Sequence, residues 1–152
     1  MYLREATDAD MALVLSWRNN PLVWEGTYTQ SEPISQEEHE KWWRSRVDHI
    51  SFMVHSWGMD ECRDIGVVHI SPLQYWSPEI GLIIGEVSLW NQGIGTQAFE
   101  LACGWLRDRG YKWTSTTVLD TNLSMIRVLY KLNFKRTCPA REGESRYALE
   151  LA

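Results

Sequence analysis

The sequence is short of the features that mark several large classes of protein. Its three cysteines, Cys62, Cys103 and Cys138, are an odd number with no Cys-x-x-Cys pair and no Cys/His set at ligand spacing. That usage excludes a disulfide scaffold and reads as reduced thiols. His39, His49, His55 and His69 likewise stand at spacings that gather no metal. No apolar run approaches the roughly 20 residues of a membrane-spanning helix. The first residues, Met1 to Asp8, are charged and lack the apolar stretch of a signal peptide. Positive charge is also scarce. Fifteen Lys and Arg against 20 Asp and Glu leave a net charge of −5, so no nucleic-acid partner, which would want a basic face, is expected. These absences imply a cytoplasmic protein without metal or membrane attachment. The acidic balance suits a cationic or amine-bearing small substrate.

What the chain does have is enough material for a core. At 152 residues and 44% hydrophobic composition, one domain over 1–152 should bury roughly 70% of its unfolded surface. Nine tryptophans are more than a core of this size needs, which leaves some for a pocket or a subunit interface. A homodimer is compatible with that surplus.

Tyr2 to Glu5 reads as a short strand. Thr7-Asp-Ala-Asp10 is a capping box that opens a helix to about Arg18, and Asn19-Asn20-Pro21 stops it. Ser35-Gln-Glu-Glu38 opens a second helix to about Val47. Ile50, Phe52 and Val54 alternate with polar residues as in a strand. After a turn at Gly58-Met-Asp-Glu61, a strand from Ile65 to Ile70 completes a hairpin. Glu79 to Val87 is a further strand. Thr96 to Arg109 is the most helical segment, ended by Gly110, and Trp113 to Leu119 is a β-branched strand. Asn122 to Leu132 is helical, with Asn133 where a left-handed residue is expected. Tyr147, Leu149 and Leu151 alternate in a last strand. This order predicts an α/β fold with a mixed central β-sheet flanked by helices.

Two junctions carry chemistry. Gln92-Gly93-Ile94-Gly95-Thr96 lies between a strand and the long helix. Glycines there let backbone amides crowd together at a helix N-terminus, a natural seat for phosphate or pyrophosphate. The same residues also suit a plain connecting turn. They are not a phosphate-binding loop of the Gly-Lys-Ser/Thr kind, nor a dinucleotide fingerprint. At the second junction, Asp120-Thr-Asn122, the asparagine suits an N-cap.

Taken together, the Gly93-Ile-Gly95 loop and helix, then the strand, Asn122, and a helix ending Leu-Asn-Phe134, resemble the GNAT N-acetyltransferase superfamily. Its loop pattern Arg/Gln-x-x-Gly-x-Gly/Ala is met by Trp90-Asn-Gln-Gly93-Ile-Gly95, and its Asn-(x)11-Phe segment by Asn122 to Phe134. Two departures stand out. Trp90 replaces the usual Arg or Gln, a variant similar to the branch with the ribosomal-protein N-terminal acetyltransferases, and Asn133 replaces the usual Gly. Trp17-Arg-Asn19, Tyr28-Thr-Gln30, Pro33-Ile-Ser35 and Glu38-His39 resemble amino-sugar acetyltransferases that act on sugar nucleotides.

The resemblance implies acetyl-CoA as co-substrate and direct attack of a primary amine on its thioester. The pyrophosphate would sit on amides of Gln92, Gly93, Ile94, Gly95 and Thr96. The pantetheine would pair along Leu82, Ile83 and Ile84, with an amide near Ile83-Ile84 for the oxyanion and Asn122 bonding the pantetheine. The front of the chain, with Trp17, Arg18 and Trp24, would form the acceptor pocket. Arg18 there can also hold an acceptor phosphate. The family's usual acid and base positions are occupied by Leu129 and Thr117. Tyr130 is the substitute acid, although one residue turns about 100° round a helix. Glu79 is the first choice of base, ahead of Glu86 and His69. The acceptor is an amino sugar or sugar nucleotide by this reading, with a protein N-terminus or an aminoglycoside as alternatives. A non-catalytic acetyl-CoA sensor is the alternative of another class.

Overall fold

A computed structural model of the chain describes residues 1–27, 30–58 and 61–151. Tyr28 and Thr29, from the motif ending at Gln30, and Met59 and Asp60, from the expected turn, lie outside the described residues. The strands are β1 (Tyr2–Glu5), β2 (Ile50–Trp57), β3 (Cys62–Ser71), β4 (Glu79–Ile84), β5 (Trp113–Leu119), β6 (Lys135–Arg141) and β7 (Glu144–Glu150). The helices are α1 (Met11–Arg18), α2 (Pro21–Trp24), α3 (Gln36–Ser45), α4 (Ile94–Asp108) and α5 (Leu123–Lys131). All seven strands form one sheet in the order β1-β2-β3-β4-β5-β7-β6. Every pairing is antiparallel except β4 with β5. The expected mixed sheet with flanking helices is what forms. Among the described residues, no helix is long and apolar enough to cross a membrane.

The sheet is covered on both faces. Phe52, Val54, Val68, Ile70 and Ile80 pack with Ala98, Phe99 and Leu106 of α4 and Leu129 of α5. On the other face Met53 and Val67 pack with Val14, Trp17 and Trp43 from α1 and α3. This explains why β2 departs from simple alternation: Phe52, Met53 and Val54 are all buried because each face has its own layer of helices.

Local chemistry sets the element ends. Ser35 accepts the Glu38 amide at 3.1 Å, and the Glu38 carboxylate accepts the Ser35 amide at 3.1 Å, a complete capping box at the start of α3. Asn20 and Pro21, which end α1, also begin another helix. The Asn20 side chain accepts the Leu22 amide, and Pro21 occupies the first turn of α2, where its missing N–H costs nothing. Sequence periodicity does not show so short a helix. β4 ends at Ile84, short of Val87, where the Gly85 and Glu86 amides both donate to the Ile65 carbonyl, at 2.9 and 3.3 Å, and the alternation of the ladder is lost. Asn133 takes φ 67°, the left-handed geometry expected of it. β6 has no counterpart in the sequence reading. It is an exposed edge strand containing Pro139, and its pairing with β7 slips register twice.

Candidate functional site

The site begins where β4 and β5 part. Their ladder pairs only Glu79 with Ser115. Beside it, β5 reaches across with hydroxyls: Thr114 Oγ1 donates to the Pro78 carbonyl at 2.8 Å and Thr116 Oγ1 to the Ile80 carbonyl at 2.7 Å. The Thr-Ser-Thr-Thr composition of β5 thus has a structural use, because the Thr114 and Thr116 hydroxyls reinforce a backbone ladder that is only one pair long. Beyond Ile80 the strands diverge around an open cleft of about 610 Å³.

The parity of β4 decides which backbone groups face that cleft. Consecutive residues turn their N–H and C=O to opposite edges of a strand. The Ile80 carbonyl meets β5, whereas the Gly85 amide meets β3. Leu82 and Ile84 therefore present their N–H and C=O to the cleft, and Ile83 pairs with Val67 of β3. Trp90 fixes the strand end: its indole N–H donates to the Ile84 carbonyl at 2.8 Å. The aromatic residue in the family's Arg/Gln position thus ties the glycine loop to β4.

At the far end of the cleft stand Gly93, Gly95 and Thr96 at the start of the 15-residue α4. Gly93 has φ +81°, which other residues adopt only under strain. Its carbonyl accepts the Gln97 amide and begins the helix, so the first-turn amides lack intrahelical acceptors. Asn122 caps α5, with its side-chain oxygen accepting the Met125 amide at 3.2 Å. That use commits Oδ1 and leaves Nδ2 as a donor. Arg127 and Lys131, one turn apart on α5, supply positive charge to the same wall.

Of the residues singled out in the sequence, Leu82, Ile83, Ile84, Gly93, Gly95, Thr96 and Asn122 line this one cleft. Gln92 and Ile94 do not line it: Gln92 Nε2 bonds the Ser88 carbonyl at 2.9 Å, and Ile94 packs against the core. The acceptor candidates lie elsewhere. Trp17 is 5% exposed in the α1/α3 core, pressed against Gly85. Arg18 stacks on Trp42 at 4.2 Å and donates to His39 Nδ1 at 3.1 Å. His39 Nε2 then donates to the Met11 carbonyl at 2.9 Å, and burial holds its pKa below the ordinary value, as befits a neutral ring. Trp24, on α2, is not among the lining residues, although its neighbours Val23 and Glu25 are.

The two catalytic candidates are not brought to the cleft either. Glu79 begins β4, five residues and about 16 Å of strand from Ile84, and its carboxylate pairs with Arg146 at 3.4 Å. Tyr130 is 56% exposed with its ring edge-on to Tyr147, while Leu129 is buried in the core. Sequence reasoning missed the other wall, namely Leu22, Val23, Glu25, Gly26 and Thr27 in and after α2. The one available signal was Asn20-Pro21, which begins a helix as well as ending one. Among the described residues, no group of three or more His, Cys, Asp or Glu side chains gathers as for a metal.

The chain is similar to known proteins over most of its length. Residues 1–135 match the acetyltransferase (GNAT) domain family. An uncharacterized protein of Methanocaldococcus jannaschii is 37% identical over 149 residues, or 98% of this chain. The chain spans 31% of that relative's length. A crystal structure of a domain from the same organism superposes with a TM-score of 0.94 at 36% identity, covering 97% of this chain and 96% of that one. An aminoglycoside acetyltransferase in complex with coenzyme A gives 0.83 at 16% identity, covering 98% and 94%. The spermidine N-acetyltransferase of Vibrio cholerae, in complex with CoA and spermine, gives 0.84 at 15% identity, covering 98% and 94%. At such identities the last two likenesses are of fold. A family match across most of the chain, on a sheet that splays at β4 and β5 beside a glycine-started helix, places this chain in the GNAT acetyltransferase family.

Proposed function

We propose that the chain moves an acetyl group from acetyl-CoA to the primary amine of a small acceptor, an amino sugar or sugar nucleotide. The observation that carries this is the divergence of β4 from β5, which opens the backbone of Leu82 and Ile84 onto a cleft ending at the glycine start of α4. An extended amide-bearing chain and a pyrophosphate suit those two features.

In this scheme the open amides of Leu82 and Ile84 pair with the pantetheine arm, and one of them meets the thioester oxygen as negative charge develops there. Ile83 contributes only its side chain, since its backbone is used by β3. Asn122 Nδ2 donates to a pantetheine carbonyl. Amides of the first turn of α4 hold the pyrophosphate, as anions bind helix N-termini, and Arg127 and Lys131 offset the remaining phosphate charge. The acceptor enters from the α2 side. Its amine must lose a proton before it attacks, because an alkylammonium has no free electron pair. As the N–C bond forms, the C–S bond breaks, and the coenzyme A thiolate leaves and takes up a proton. Glu79 and Tyr130 stand outside this scheme, so both proton movements fall to groups on the cleft wall or to water.

The finer identity of the acceptor is supported by the resemblance of the front of the chain to amino-sugar acetyltransferases; Arg18 itself stands outside the cleft, stacked on Trp42 and bonded to His39. Thiol release from acetyl-CoA, read against amino sugars, amino-sugar nucleotides, aminoglycosides and N-terminal peptides, tests the reading. Turnover on the first two classes is expected. Turnover on peptides alone, or acetyl-CoA binding without turnover on any class, would overturn it.

A further inference from the structure

The cleft is electrically divided. Its cations, Arg127 and Lys131, stand on α5. Among the described lining residues its single carboxylate is Glu25, at the end of α2. The Glu25 carboxylate makes no hydrogen bond or ion pair with any described residue, unlike that of Glu79, which has Arg146. Its position along the cleft is set by the next residue. A Cβ built on Gly26 would lie 3.2 Å from Asn122 Nδ2, so the α2 end passes against the asparagine assigned to the pantetheine. Consecutive Cα atoms are about 3.8 Å apart, so Glu25 stands next to that contact, on the α2 wall of the cleft.

Resting on the proposed acetyl transfer, we infer that Glu25 binds the protonated amine of the acceptor and sets the site's preference for a cation. The ligand class is a primary ammonium on a small polar body. A charge-assisted hydrogen bond from the ammonium to a free carboxylate is the strong contact this wall offers. The cationic α5 wall repels the same ammonium, so the two walls orient the amine toward α2 and the phosphates toward α5. Glu25 is thereby a binding and specificity residue of the acceptor side, one step before the amine gives up its proton.

The test uses the whole chain saturated with coenzyme A, titrated calorimetrically with glucosamine and, as a neutral counterpart, N-acetylglucosamine. Wild type should bind glucosamine about tenfold more tightly than N-acetylglucosamine, and Glu25→Gln should lose that ratio while keeping its coenzyme A affinity. Glu25→Asp should restore part of the ratio, which a merely structural role for the side chain would not give. Coenzyme A bound with equal affinity for both sugars, or a ratio unchanged in Glu25→Gln, overturns the inference alone. Failure of wild type to bind coenzyme A overturns the acetyl-transfer reading beneath it.

Discussion

Gly85 and Trp17 give a prediction whose size follows from how closely they approach. A Cβ on Gly85 would stand 2.0, 2.2 and 2.3 Å from Cγ, Cδ2 and Cδ1 of Trp17. Carbon atoms in contact sit about 3.5 Å apart, so Gly85→Ala asks the indole to retreat by about 1.5 Å. The ring has little room to do so, being packed with Val14, Trp43, Met53 and Val67. Overpacking of this kind costs about 3 kcal/mol. Trp17→Ala alone should cost about 4 kcal/mol through the cavity it leaves. In the double variant the new methyl enters the vacated space, so the total should stay near 4 kcal/mol instead of the additive value near 7. Urea unfolding with linear extrapolation measures all three. Additivity to within about 0.5 kcal/mol would refute the clash. Gly85 follows Ile84 directly, so the single Gly85→Ala variant should also lose acetyl-CoA affinity.

Other expectations follow from the same geometry. Asn122→Ala should cost about 1 kcal/mol of stability by losing the α5 cap and about tenfold in acetyl-CoA affinity. Asn122→Asp keeps the capping oxygen and loses the Nδ2 donor, so in melting and calorimetry it should spare stability and not affinity. Replacing Arg127 and Lys131 with Met should weaken coenzyme A binding about tenfold at low salt and little at 1 M salt, where screening is nearly complete; a salt-independent loss would contradict their role opposite phosphate. His69 should make stability pH-dependent. Burial, and after it Arg46, pushes its folded pKa down to about 3, whereas the unfolded side chain titrates near 6.5. Between those values the unfolded chain binds the extra proton, so stability falls as pH falls, by about 1.4 kcal/mol per pH unit. Denaturation from pH 7 to 5 should show a shallower slope for His69→Gln, and equal slopes would contradict the assignment.

The wall made by β4, the glycine loop and Asn122 was legible because it depends on local rules. A glycine with positive φ before an amphipathic helix, and an asparagine before the next one, have the same meaning in any sequence. The α2 wall was not. Trp17 carries helix periodicity equally well as core or as pocket, and only the approach of Gly85, 68 positions away, decides for the core. Glu25 gave no signal because α2 is four residues long, too short for periodicity to register. Glu79 was favoured for lying on the right strand, yet strand membership does not say which end faces the cleft. β6 was unreadable for a different reason. It buries none of its residues, so its sequence carries no apolar pattern.

The most direct test of the account is a crystal structure of the chain with coenzyme A. The pantetheine should pair with the backbone of Leu82 and Ile84, its pyrophosphate should lie on the first-turn amides of α4, and Asn122 Nδ2 should donate to the arm. A cofactor seated elsewhere, or paired through Ile83, would contradict the reading of the β4 edge on which the proposed function stands.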